Sequence, residues 1–252
     1  MIRERRNKEK LVSYYNKFID EGILDPNVHP WVAESWQRCG ARKLPHETMT
    51  KEHRLTKEQI EIQQQTHAEV VAFTDGLFEQ NKQYFNTHNL SMLLIDEDGY
   101  AIKNYALPFY QRSIEDIQGL RLLEEDIGTS SFCVARSHNV PFLMFGPEMW
   151  IRACHSGDAC SAPVIVKGHT RYIISFFSMD QNDLPYDILL SLLMTMKYAL
   201  ENFLTVLDNK KMNEIIAEEI PAAIYWVDRQ GNILYSNANG KKRLENNTRL
   251  DE

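Results

Sequence analysis

Cys154, His155 and Cys160 bring two thiols and an imidazole together within seven residues, and Cys133 lies upstream as a possible fourth member. These groups allow three kinds of chemistry. Sulfur and imidazole ligands can hold zinc or a related metal ion. A pair of thiols can act as nucleophile and resolving partner, as a redox sensor or a methionine sulfoxide reductase requires. The same side chains can also line a binding pocket. The spacing matches no recognised zinc motif, and adjacent Cys and His side chains diverge on a regular strand or helix, so an ion would need a loop at this point. No metal and no cofactor is therefore expected, and Cys154, His155 and Cys160 stand as the alternative metal, haem or redox site.

The surroundings favour pocket lining. Trp150, Cys154, His155, Asp158 and Cys160 fall between two β-rich runs, Val140 to Phe145 closed by Gly146-Pro147 and Ala162 to Val166 closed by Lys167-Gly168. The stretch between them reads as a loop too polar for core and too aromatic for a plain linker, which is the character of a cavity rim.

The elements that must position this loop follow from periodicity and caps. Leu11, Tyr14, Tyr15 and Phe18 recur at helical spacing until Gly22, and a second helix is expected from about Pro30 to Cys39 with Val32 and Trp36 on one side. Thr56-Lys57-Glu58-Gln59 has the form of a capping box and opens a long helix predicted to reach Tyr84. Leu90 to Ala106 reads as a hairpin turned at Asp96-Glu97-Asp98-Gly99. A short helix is expected to begin within Ser113 to Asp116, another is capped by Gly128-Thr129-Ser130 and runs to about Ser137, and Arg171 to Met179 is a further strand.

Three segments in order, GLRLLEEDIGTSS, VPFLMFGPEMW and CSAPVIV, followed by RYIISFFSM, resemble the GAF domain of bacterial sigma-54-dependent regulators of the acetoin-operon type. Glu34-Ser35-Trp36-Gln37-Arg38-Cys39 is similar to the element that precedes such domains. The resemblance implies an α+β fold: an N-terminal helical region over 1–56, a GAF sensor domain over 57–182 with an antiparallel sheet flanked by helices, and a signalling helix over 183–214. It also implies a ligand between the sheet and the helices and loops over one face. On that footing Phe132, Met144, Phe145, Trp150, His155 and Cys160 are the expected pocket neighbours, and an apolar lining with a few polar groups suits a small organic effector.

Ile220 to Asn237 resembles the opening of a PAS domain, with an Asp-x-x-Gly turn at Asp228–Gly231, so 215–252 is expected to be an incomplete PAS domain. In Pro185 to Leu207 the series Leu189, Leu193, Met196, Leu200, Phe203 and Leu207 forms one stripe, and Leu192, Ala199 and Val206 form a second. The surplus stripe predicts a homodimer with Leu193, Leu200 and Phe203 in its seam.

Composition sets the outer bounds. A formal charge of −7 over 252 residues disfavours direct nucleic-acid binding, and neither a P-loop nor a helix-turn-helix signature occurs. No run reaches the length of a membrane span, and MIRERRNKEK lacks the apolar centre of a secretory signal, so a cytoplasmic location is expected. The expected work is binding, not catalysis: a small-molecule sensor that acts on an ATPase and DNA-binding part not contained in these residues. The alternative is a dimerisation module without a ligand.

Overall fold

The structure is a computed structural model that describes residues 7–49, 52–105, 117–178 and 185–248. The chain divides into two compact units, Met1–Glu201 and Asn202–Glu252.

In the first unit the predicted helices form where caps and apolar spacing place them. Helix α1 (Lys8–Glu21) is capped by Asn7, whose side chain accepts from the Glu9 and Lys10 amides, and is stopped by Gly22 in the left-handed conformation. Helix α2 (Pro30–Ala41) starts with proline in its first turn. The capping box at Thr56 is present and opens α3 (Lys57–Thr66). The single helix expected to Tyr84 is broken at His67, where φ −104° and ψ 15° leave the helical region and α4 (Ala68–Thr87) begins. His67 Nδ1 lies 2.8 Å from the Tyr172 hydroxyl, a tertiary contact that the sequence pattern does not contain.

A five-stranded antiparallel sheet follows, built from β1 (Leu90–Asp96), β2 (Ala101–Tyr105), β3 (Phe142–Phe145), β4 (Asp158–Val166) and β5 (His169–Ser178) in the order β2-β1-β5-β4-β3. Asp96 closes the first hairpin by accepting from the Asp98 and Tyr100 amides. Helices α5 (Glu124–Ile127) and α6 (Ser131–His138) precede β3. The helix start expected within Ser113 to Asp116 lies outside the described residues, as do Ala106, Met179 and Thr50.

One sequence expectation about the strands is corrected. Strand β4 begins at Asp158, four residues before the predicted Ala162, because Asp158 to Ser161 pair with Phe145 to Phe142 on one side and with Ser178 to Ser175 on the other. Asp158 and Cys160 are therefore strand residues, not loop residues. Pro163 is tolerated in β4 because it lies past the end of β3, where its missing N–H is not needed for pairing.

Cross-strand register separates the side chains into two faces. Leu90, Met92, Leu94, Ile174, Phe176, Cys160 and Ala162 share one face, on which Phe85 of α4 meets Phe176 edge-on at 5.0 Å. The first part of α7 (Tyr186–Glu219) covers that side too, with Tyr186 edge-on to Phe145 and Glu201 accepting from the Ile165 amide. Ser91, Leu93, Ile173, Ser175, Phe177, Ala159, Ser161, Phe142 and Met144 share the other face, beneath α2, α6 and the segments around them.

Within the first unit, Leu189, Leu193, Met196 and Leu200 of α7 are buried, whereas Ile188 and Tyr198 are exposed. The expected seam is thereby corrected at Leu193 and Leu200, while its third member, Phe203, is half-buried. Leu193 and Leu200 are fully buried in the chain's own core and have no surface to offer a partner.

The second unit contains β6 (Tyr225–Val227), β7 (Ile233–Ser236) and α8 (Ala238–Thr248). Its hairpin turn is held by Asp228, which accepts from the Gln230 and Asn232 amides, with Gly231 at φ 89°. The fully buried Asn237 pins the unit, donating to the Ala217 and Ala222 carbonyls and accepting from the Ile224 and Gly240 amides.

Candidate functional site

The loop after β3 is fixed from several sides. Trp150 is 2 % exposed, and its indole N–H donates to the carbonyls of Leu44 and Pro45 while its own carbonyl accepts from the Tyr15 hydroxyl. Gly128, at φ 69°, lies against the Trp150 ring so closely that a β-carbon would collide with it. His155 Nε2 sits 2.9 Å from the Met149 carbonyl, and burial holds its pKa below the usual imidazole value.

Two sequence landmarks upstream of this loop meet in space. Arg38 donates twice to Glu124, at 2.7 Å to each carboxylate oxygen, and the Ser35 hydroxyl donates to Glu124 Oε2 at 2.6 Å. Because the single Ser35 proton is used there, Thr129 must be the donor in its 2.7 Å bond to Ser35, and Cys39 is then the donor toward Thr129. The chain Cys39, Thr129, Ser35, Glu124 thus ends on a carboxylate. Burial opposes ionisation of Glu124, but the bonds from Arg38 and Ser35 outweigh it and hold its pKa below the usual carboxylate range. This lock fastens α2 to α5 through Glu124 and to Thr129, just before α6.

The expected pocket neighbours separate. Phe132 belongs to an apolar cluster with Leu93, Ile95 and Ile127, while Met144 and Trp150 belong to a second cluster with Tyr15, Trp36 and Val134. Phe145 and Cys160 lie on the opposite face of the sheet from Met144, as strand alternation requires. Met49 and Phe177 pack against both clusters, and Phe177 is part-exposed in a strand whose neighbouring residues are buried.

The thiols are not poised for reaction. Burial raises the pKa of Cys39, Cys133 and Cys160, and it pushes Cys154 up to about 11. Among the described residues no group of three or more His, Cys, Asp or Glu is placed to hold a metal ion.

Sequence reasoning missed the polar side chains on the face shared by Phe177. The Ser131, Ser161 and Ser175 hydroxyls form a chain with 2.7 Å between neighbours, and all three residues are buried. Asn104, Leu93, Ser175, Ser161 and Phe142 are successive partners across the five strands, so they form one lateral row. Ser91 stands two residues along β1 from that row, opposite Phe177. Among the described residues its hydroxyl and the Asn104 side-chain oxygen are buried without a hydrogen-bond partner. Only the alternation of small polar residues in LSMLLID and RYIISFFS hinted at this, and the facing cannot be read without the register.

A separate surface cleft of about 560 Å³ lies between α1 and α2, lined by Phe18, Ile19, Gln37, Lys43, His46 and Trp150 among others. Of the six expected pocket residues it touches Trp150.

No family model matches the chain, and no curated protein sequence matches it. Among solved structures it is similar to the E. coli DhaR(N)–DhaL complex, with 19 % identity, coverage of 85 % of this chain and 76 % of that chain, and a TM-score of 0.63. That likeness shows the fold. Lower scores relate it to the inducer-binding domain of the transcription factor PobR from Acinetobacter, a double mutant with 3-hydroxybenzoic acid, at 16 % identity over 52 % of this chain and 95 % of that chain, TM-score 0.35. The A. aeolicus nlh2 GAF domain in an inactive state matches at 10 % identity over 60 % of this chain and 99 % of that chain, TM-score 0.36. At those scores neither carries an argument.

Proposed function

We propose that the chain is the sensory input region of a transcription regulator of the sigma-54 activator type: a GAF domain that binds a small organic effector between its sheet and α6, followed by the start of a PAS domain. The observation that carries this reading is the divided core of that face. Two apolar clusters lie on it instead of one, and Phe177 between them keeps part of its surface uncovered. Effector occupancy acts on α7 by favouring one of two arrangements, and so on an ATPase and DNA-binding part outside these residues. The work is binding and not catalysis, a reading supported by the raised thiol pKa values. The reading places the protein in the cytoplasm, and the net charge of −7 suits DNA contact by another part. Among the described residues no helix is long and apolar enough to cross a membrane.

A homodimer contact on α7 is a second element of the reading, with the exposed Ile188 and Tyr198, 52 % and 54 % accessible, as its apolar members. The DhaR(N)–DhaL complex shows a similar chain holding a protein partner, which is the competing occupant of such a surface. The effector reading is tested by following the thermal midpoint of the purified chain against a pool of small metabolites. A ligand that binds only the folded state must raise the midpoint, saturably. A midpoint unmoved by the whole pool would leave the dimerisation module as the function.

A further inference from the structure

Ser91, Asn104 and Ser175 surround Leu93 on the sheet face that carries the divided core. Asn104 and Ser175 are the direct partners of Leu93 on either side, and Ser91 is the next residue of β1 on the same face. Ser91 is thus a diagonal neighbour of both, about 7–8 Å away and within reach of one small molecule. Among the described residues, the Ser91 hydroxyl and the Asn104 side-chain oxygen are buried with no hydrogen-bond partner. Ser131, Ser161 and Ser175 make two hydrogen bonds from three hydroxyl protons, so one of the three hydroxyls keeps a proton to donate. A buried polar atom without a partner costs stability, and native interiors rarely keep one. Here unmet capacity gathers at one place, beside the part-exposed Phe177.

The strand side chains of this face bear on the charge of the occupant. The row holds serines and an amide, and the strand residues paired beside it, Ala159, Ile173, Phe177 and Met144 among them, include no Asp, Glu, Lys, Arg or His. A charged ligand would find no counterion among them and would be costly to bury.

We propose that Ser91, Asn104 and Ser175 form the recognition site for a small uncharged molecule that carries both a hydrogen-bond donor and an acceptor. Its donor meets Asn104 Oδ1, its acceptor takes the Ser91 or Ser175 proton, and its apolar part lies on Phe177. The proposal rests on the effector reading and gives that reading its chemical class.

Carboxamides and their isosteric carboxylates separate the alternatives: acetamide against acetate, and benzamide against benzoate, each titrated into the whole chain while the thermal midpoint is followed. The carboxamides are expected to raise the midpoint saturably and the carboxylates to leave it unchanged. Ser91→Ala and Asn104→Leu should each weaken carboxamide binding at least tenfold. The unliganded Ser91→Ala protein should melt no lower than wild type, since it loses a hydroxyl that has no partner. A lower midpoint in unliganded Ser91→Ala would overturn the assignment by giving Ser91 a structural role, as would carboxamide binding that neither substitution weakens. Response to carboxylates alone would overturn the uncharged class while leaving the effector reading intact. No response to either set would overturn the site itself, and the metabolite pool then decides the broader reading.

Discussion

The two faces of the sheet are built from the same strands and do opposite things. On the face under α4 and α7, Leu90, Met92, Leu94, Ile174, Phe176, Cys160 and Ala162 are at most 0 % exposed and form a continuous apolar layer. On the other face the same strands present Ser91, Ser161 and Ser175 among their apolar residues, and the core divides around them. Strand alternation lets each residue type be chosen for one face without disturbing the other. The first face supplies stability. The second gives up part of its apolar burial for hydrogen-bonding capacity, which the proposed recognition site would use.

That contrast can be broken by substitution. Phe176→Ala removes a fully buried ring from the solid face and should cost about 3–5 kcal/mol, read from urea unfolding. Ser175→Ala, its sequence neighbour on the divided face, should cost about 1 kcal/mol, the value of one buried hydrogen bond. Equal losses would show that the two faces do not differ as described.

On α7 the same logic separates buried from exposed apolar positions. Leu200→Glu places a carboxylate in the chain's own core and should unfold the first unit. Ile188→Glu should leave the fold intact, and light scattering at tens of micromolar should report a smaller particle than wild type if this surface is a homodimer contact. An unchanged mass would remove Ile188 from any such contact.

The lock between α2 and α5 sharpens the comparison beside the divided face. Glu124→Gln should cost about 2 kcal/mol at neutral pH, because charge-assisted bonds from Arg38 and Ser35 lose their anion. The folded Glu124 has a lowered pKa, so its contribution is present above the unfolded carboxylate value and is lost as pH falls through the folded one. The gap between wild type and variant should therefore close below about pH 4. A gap that persists in acid would mean that shape, not charge, carries the contact.

Local signals in the sequence carried much of this fold. Thr56 and Gln59, the Asp96 to Gly99 turn and Gly22 act within a few residues of themselves, so their effects are readable without tertiary information. The start of β4 and the break at His67 were not readable, because pairing partners and Tyr172 decide them from far along the chain. The candidate site was the least legible part. Aromatic and sulfur content drew attention to Trp150 and Cys160, yet Trp150 is a nearly buried anchor and Cys160 faces the solid side. Serines in a strand look unremarkable until the register aligns Ser161 with Ser175 and places Asn104 two strands from it.

The most direct test of the division of labour is to map where a carboxamide binds, following backbone amide resonances of the whole chain during a benzamide titration. Saturable shifts are expected to concentrate at Ser91 to Leu93, Asn104, Ser131 and Ser175 to Phe177. Shifts confined to the cleft around Phe18, Lys43 and His46, or to the layer around Leu94 and Ile174, would contradict it.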